Sequence, residues 1–214
     1  MNKILKSLLL MPLLALSVGA SAAQYTEGEH YTKVSEKVSN KKEVREYFSV
    51  YCPACKNFEP VMHGLKKSLP SGVPFKRNHV DFLRGASPKI QQMLTKAIVA
   101  AGQLGNEDKL IGALFNYLQV QKAVITSEKD IRNIFVLNGA DGDKFDKLMK
   151  SFGVISQANS MKKSQETMSA KRALTGVPSV FVNGKYRINA NKLDRKNFDK
   201  DYQNLVKYLL ELDS

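Results

Sequence analysis

The feature that most constrains the fold is a pair of cysteines at the point where a strand pattern gives way to a helix pattern. Cys52 and Cys55 are the only cysteines among the 214 residues, and they enclose Pro53 and Ala54. Residues 43–51 are rich in β-branched and aromatic side chains, as strands are. Pro53 suits the first turn of a helix, where its missing N–H is not needed. The sequence therefore predicts that both cysteines lie at the start of a helix that directly follows a strand.

Two cysteines at this spacing can bind a metal, cross-link the fold or carry redox chemistry. The three histidines (His30, His63 and His79) do not have the spacing of a zinc site, so we expect no metal. A disulfide that closes a four-residue loop stabilises a fold by only about 2 kcal/mol. A helix N-terminus, in contrast, presents unpaired N–H groups and the positive end of its dipole to Cys52, and both favour the thiolate. We therefore favour a redox pair in which Cys52 attacks and Cys55, one turn later, resolves the mixed disulfide.

Residues 1–22 have the pattern of a secretory signal peptide. Two lysines precede an apolar run over residues 8–18, and small residues follow at 20–22. The apolar run is shorter than the roughly 20 residues that a membrane-spanning helix needs. We expect cleavage after Ala22 and a mature protein in an oxidising space outside the cytoplasm.

The patterns that follow the cysteines are those of an α/β domain with an insertion. Residues 75–82 resemble a strand, and the chain from about Ser87 to Ala173 shows apolar residues at helical spacing with no strand among them. Strand character returns at 178–182, and Asn183-Gly184 predicts a two-residue hairpin turn before a last short strand. An amphipathic helix ends the chain. We expect a helical block inserted into one sheet domain.

Three segments resemble those of a known family. EYFSVYCPACKNFEP (46–60) resembles the active-site segment of the DsbA family of bacterial periplasmic thiol:disulfide oxidoreductases. TGVPSVFVNGKY (175–186) is similar to the family's proline loop and hairpin, and AQYTEGEHY (23–31) to its mature N-terminus. The resemblance implies an α/β thioredoxin fold with an inserted all-helical domain. Residues 23–82 and 166–214 would form the discontinuous thioredoxin-like domain, and residues 83–165 the insertion.

The resemblance also implies how a substrate binds. The Val177–Pro178 bond would be cis, and the loop would lie beside the cysteines and pair with an extended peptide, so Val177 and Pro178 are candidate substrate-binding residues. The dipeptide between the cysteines, Pro53 and Ala54, would tune the thiolate. Well-known members of the family have histidine where this chain has Ala54, and histidine can stabilise a thiolate by charge or hydrogen bonding. We therefore expect the pKa of Cys52 to be lowered less than it would be with histidine, and the oxidant to be weaker.

Charged residues are expected beneath this site. By resemblance, Glu46 and Glu59 fall at positions where a buried carboxylate could accept or relay the proton of Cys55. The alternative is that Glu59 is a solvated helix residue and Glu46 a paired strand residue. Arg77 falls where the family usually has lysine, and because arginine does not readily lose its proton, we assign it as a counter-ion.

The function expected from these features is that of a periplasmic dithiol oxidase without a cofactor. It would donate the Cys52–Cys55 disulfide to newly exported or unfolded cysteine-containing proteins, and the resemblance implies re-oxidation by a DsbB-like membrane quinone reductase. Two alternatives stay open: a disulfide isomerase or reductase, and a peptide-binding chaperone. Periplasmic isomerases of this type usually carry a separate N-terminal dimerisation domain, and no room for one precedes Tyr31, which counts against the isomerase. We also expect a monomer. The net charge is +13, but the basic residues are scattered, have no aromatic residues interleaved with them and follow an export signal. This pattern argues against nucleic acid as a ligand.

Overall fold

The computed structural model describes residues 25–35 and 42–212, so the predicted signal peptide (residues 1–22) lies outside the described residues. Five strands and seven α-helices occur in this part of the chain. The strands are β1 (Tyr31–Lys33), β2 (Val44–Phe48), β3 (Phe75–His79), β4 (Ser179–Val182) and β5 (Tyr186–Ile188). The helices are α1 (Pro53–Ser68), α2 (Pro88–Gln103), α3 (Glu107–Phe115), α4 (Glu128–Leu137), α5 (Gly142–Met149), α6 (Phe152–Ala170) and α7 (Phe198–Glu211).

The strands form one mixed sheet in the order β1-β5-β4-β2-β3. Strand β2 is central: it runs parallel to β3, with Phe48 opposite His79, and antiparallel to β4, with Val44 opposite Val182. Because it is covered on both faces, four of its five residues are buried. Its carboxyl end leads into α1, so the start of that helix is held by the most buried strand of the sheet.

Strand β2 ends earlier than the sequence pattern predicts. It stops at Phe48, and residues 49–52 form a turn in which the Cys52 N–H donates to the Ser49 carbonyl at 3.0 Å. The Tyr51 N–H donates to the Ser49 hydroxyl at 3.2 Å. These local bonds replace the ladder bonds of a strand, so the cysteines follow a tight turn and not the strand itself.

The hairpin between β4 and β5 also differs from its prediction. Asn183 and Gly184 have φ angles of 53° and 63°, as the turn requires. Val182 pairs with Tyr186, however, so three residues connect the paired positions where two were expected. The Asn183 side chain accepts a hydrogen bond from the Glu43 N–H at 3.2 Å, which ties the turn to the start of the central strand.

The helices between β3 and β4 pack around an apolar core of their own. Helix α2 is its centre and contacts α3, α5 and α6, with fully buried side chains such as Leu94, Ile98 and Phe135 inside. This core continues to Phe48 and the two cysteines, so the helical block packs directly on the end of the central strand. None of the helices in the described ranges is long and apolar enough to cross a bilayer.

The predicted boundary between residues 165 and 166 falls inside a helix. Helix α6 runs from Phe152 to Ala170 and contacts both α2 of the helical block and strand β3 of the sheet. The division into residues 23–82 with 166–214 and residues 83–165 therefore stays a prediction.

Candidate active site at the start of the first long helix

Cys52 is the N-cap of α1. Its backbone is extended, with φ −94° and ψ 112°, and its sulfur accepts a hydrogen bond from the Cys55 N–H at 3.1 Å. Pro53 occupies the first turn, as the sequence predicts. The helix loses no hydrogen bond there, because the N–H groups of its first turn have no partner within the helix. The arrangement aims the free donors of the helix start at the Cys52 sulfur.

These contacts lower the pKa of Cys52 from 9.0 to about 7. The hydrogen bond from the Cys55 thiol is the largest cause; burial opposes the shift, and the N–H groups of Cys55 and Ala54 add to it. Ala54 contributes only its backbone, because its methyl group cannot donate a hydrogen bond. Cys52 is only 4% exposed, so little of its surface is open to solvent.

Cys55 has the opposite electrostatic environment. Its side chain is fully buried, and its pKa is raised well above the ordinary value, first by its hydrogen bond to Cys52 and then by burial. Glu46 adds a like-charge repulsion that raises the pKa further. Both cysteines are thiols in this structure. The reduced pair therefore consists of an ionisable outer cysteine and an inner cysteine that keeps its proton.

The loop before β4 lies directly against Cys52. The Val177–Pro178 peptide bond is cis, and the Cys52 thiol donates to the Val177 carbonyl at 3.4 Å. Strand β5 pairs with β4 only at Phe181 and Val182, so Ser179 and Val180 have no strand partner on that edge in the described part of the chain. An extended peptide can add to such an edge by main-chain hydrogen bonds.

Beneath the cysteines, Arg77 joins the two predicted carboxylates. Its Nε donates to Glu46 at 3.0 Å, and its two terminal nitrogens donate to the two oxygens of Glu59, one of them at 3.2 Å. The guanidinium also lies 4.1 Å from the centre of the Phe48 ring. Glu59 is only 8% exposed, so it is not a solvated helix residue.

Glu46 is a fully buried carboxyl with a raised pKa. Burial raises its pKa to about 7, against the opposing charge of Arg77, and the like charge of Glu59 adds to the rise. One of its oxygens has no hydrogen-bond partner among the described residues. Burial by itself would lower the pKa of Arg77, but Glu46 and Glu59 raise it above its ordinary value, so Arg77 stays charged. Glu46 can therefore change its protonation near neutral pH.

Gln119 contacts the cysteine turn and was not predicted. It lies in a π-helical turn over Asn116–Val120, and its side-chain amide donates to the carbonyls of Val50 at 2.8 Å and Cys52 at 3.1 Å. The sequence offers no signal for this contact, because the residues lie 67 or more positions apart and a glutamine in a helical pattern is unremarkable by itself. Gln119 connects the helical block to the turn that carries Cys52.

Comparisons with known proteins agree with this geometry. A family model described as a DSBA-like thioredoxin domain matches residues 43–203. The thiol:disulfide interchange protein DsbA of Escherichia coli strain K12 is 40% identical over 204 residues, which cover 92% of this chain and 94% of that protein. Its counterpart in Pectobacterium carotovorum is 38% identical over 201 residues, covering 91% of this chain and 93% of that protein.

A solved structure gives the same result. The disulfide oxidoreductase DsbA of Proteus mirabilis has a TM-score of 0.76 and 30% identity, covering 87% of this chain and 97% of that one. The α/β thioredoxin fold with helices inserted between β3 and β4 is thereby confirmed. An enzyme activity follows from the same relatives, that of a thiol:disulfide oxidoreductase. The chain accordingly belongs to the DsbA-like thioredoxin family.

Proposed function

We propose that this oxidoreductase works as a dithiol oxidase whose disulfide joins Cys52 and Cys55. The observation that carries the proposal is the opposite perturbation of the two thiols: the pKa of Cys52 is lowered to about 7 and that of Cys55 is raised. A good leaving group has a low thiol pKa. Cys52 therefore suits the position that is attacked by the client and later released.

The oxidation proceeds in two exchanges. A client thiolate attacks the Cys52 sulfur, the bond between Cys52 and Cys55 breaks, and Cys55 leaves as a thiolate that takes up a proton. The client's second thiolate then attacks the client sulfur of the mixed disulfide, and Cys52 leaves as a thiolate at the helix N-terminus. The client loses two electrons and gains a disulfide, and the cysteine pair gains the two electrons.

The buried carboxyl cluster supports the protonation of Cys55. Glu46 has a pKa of about 7 and interacts electrostatically with Cys55, so it is suited to exchange a proton as Cys55 changes between thiolate and thiol. Glu59 and Arg77 act through Glu46, because they set the charge around it.

The proline loop is the proposed client-binding edge, with Val177 and Pro178 next to the attacked sulfur. A relative supports peptides as ligands: a solved Proteus mirabilis DsbA complex holds the non-covalently bound peptide PWATCDS and matches this chain with a TM-score of 0.75 and 30% identity. From the resemblance we further propose the periplasm as the location, newly exported proteins as clients and a DsbB-like membrane quinone reductase as the re-oxidising partner. We also propose that the protein acts as a monomer.

The experiment that tests the role of each cysteine uses two single variants. Oxidised wild-type protein should convert a reduced dithiol peptide to its disulfide. Given the disulfide form of the same peptide, reduced Cys55→Ser should attack it through Cys52 and accumulate a mixed disulfide, because the resolving thiol is absent, whereas Cys52→Ser should accumulate none. Trapping through Cys55 in place of Cys52 would reverse the assignment.

The reduction potential separates an oxidase from a reductase. Equilibration with glutathione buffers should give the Cys52–Cys55 pair a reduction potential well above that of thioredoxin, which is about −270 mV. A value near that of thioredoxin would favour the reductase alternative. If Cys52→Ser/Cys55→Ser protein still suppressed client aggregation at the wild-type level while the wild type oxidised nothing, the chaperone alternative would replace the oxidase.

A further inference from the structure

The groove beside the proline loop is lined by uncharged groups with one exception. It has a volume of about 510 Å³ and extends from Val177 and Pro178 to Asn189 and Tyr202. Among the described residues that line it, Arg187 is the only one with a charged side chain. Because the Val177 carbonyl also contacts the Cys52 sulfur, the groove that Arg187 lines begins beside the reactive centre.

The strand geometry fixes Arg187 in this position. It lies on β5 between Tyr186 and Ile188, which are buried against the core formed with α7, so its own side chain is on the other face. It pairs in register with Phe181 of β4. A terminal nitrogen of its guanidinium donates to the Ala173 carbonyl at 3.0 Å, which holds the side chain across the base of the proline loop.

The guanidinium has donors to spare. Arginine carries five N–H donors in a planar fork that matches a carboxylate, and the bond to Ala173 uses one of them. Among the residues that the structure describes, no carboxylate forms an ion pair with Arg187. The groove is therefore lined by a half-buried positive charge that no carboxylate of the described residues opposes.

We propose that Arg187 is a specificity-determining residue that makes the groove prefer client segments with an aspartate or glutamate near the reacting cysteine. This inference rests on the proposed function, because it assumes that a client peptide lies along the proline loop. The client backbone would supply the hydrogen bonds common to all clients. The client's carboxylate would supply the sequence-dependent part of the binding, through a charge-assisted hydrogen bond with Arg187.

The test uses two reduced dithiol peptides that are identical except for aspartate or lysine beside one cysteine. Second-order rate constants of oxidation by the disulfide form are measured at low ionic strength. A partly exposed ion pair predicts that wild-type protein oxidises the aspartate peptide about two- to five-fold faster. The ratio should approach one at about 1 M salt, where the screening length is about 3 Å.

Variants separate Arg187 from the general basic charge. Arg187→Gln should bring the ratio of the two rates close to one, and Arg187→Glu should invert it. Lys129→Gln is the matched control, because it removes the same charge from an exposed position on α4, and it should keep the wild-type ratio. A role for Arg187 in only holding the loop would slow both peptides equally and leave the ratio unchanged.

The outcomes distinguish this inference from the function on which it rests. If Arg187→Gln keeps the wild-type ratio, or Lys129→Gln lowers it as much, the inference is wrong while the oxidase function stands. If no peptide is oxidised at all, the proposed function is overturned, and the role of Arg187 in client selection with it.

Discussion

Reduction of the cysteine pair should make the stability of this protein depend on pH in a way that the oxidised form does not share. The cause is Cys52, whose pKa is about 7 in the folded protein against 9.0 for an unperturbed thiol. A lowered pKa means that the thiolate stabilises the fold above the unfolded pKa, and that this stability is lost as the pH falls through the folded pKa. The oxidised protein has no thiol at these positions in either state.

The magnitude follows from the two pKa values. The thiolate of Cys52 contributes about 0.1 kcal/mol to the free energy of unfolding at pH 6 and about 1.4 kcal/mol at pH 8. Cys55 contributes little to the pH dependence of the free energy of unfolding below pH 8. Its raised pKa keeps it protonated in the fold, and it is mostly protonated in the unfolded chain as well. The buried Glu46 titrates in both redox forms, so its effect cancels in their difference.

The assay is urea unfolding of the reduced and oxidised protein at about pH 6, 7 and 8. The free energy of unfolding of the reduced form minus that of the oxidised form should increase by about 1.3 kcal/mol from pH 6 to pH 8. Reduced Cys52→Ser protein is the control and should lose the increase. A difference that stays constant within about 0.3 kcal/mol would refute the argument, because the Cys55 thiol and the helix start would then not stabilise the thiolate.

Three further predictions concern the surroundings of the pair. Ala54→His should lower the pKa of Cys52 below about 7 and make the disulfide more oxidising; unchanged thiolate absorbance titrations and glutathione equilibria would contradict this. The free energy of unfolding of oxidised Glu46→Gln minus that of oxidised wild type should increase from about pH 5 to about pH 7 and then level off, because the raised pKa of Glu46 makes its ionisation in the fold costly; a pH-independent difference in urea unfolding would oppose it. Gln119→Leu should destabilise the protein by about 1–3 kcal/mol, because two carbonyls lose their donor, and an unfolding midpoint equal to that of wild type would show that the contact contributes nothing.

The structure shows where the basic residues of the described ranges lie. The net charge of +13 suggests several classes of acidic partner when it is considered alone. In the fold, Arg187 is the one charged side chain among the described residues that line the groove next to the proline loop. The basic residues at exposed positions we interpret as a soluble surface, and the Lys129→Gln control examines one of them.

Features that depend on a few neighbouring residues were predicted well. Pro53 at the first turn and Cys52 before it follow from the capping rules, and the structure has this helix start. The end of β2 was predicted less accurately, because hydrogen bonds around Ser49 compete with the strand ladder. The positions of Glu46, Glu59 and Arg77 followed from the family resemblance, whereas their mutual hydrogen bonds required the packing of α1 on β2 and β3.

The sequence by itself determined that a redox cysteine pair caps a helix within an α/β fold, because capping and periodicity act over a few residues. Only the tertiary structure decided how the pair is tuned. Three features depend on residues that are distant in the sequence. They are the burial of Cys55 and Glu46, the contact of Gln119 with the cysteine turn, and the place of Arg187 in a groove without another charged side chain among its described lining residues. The physical reason is that a pKa and a binding preference depend on desolvation and on neighbouring charges in space, and these are set when the helical block packs on the end of the central strand.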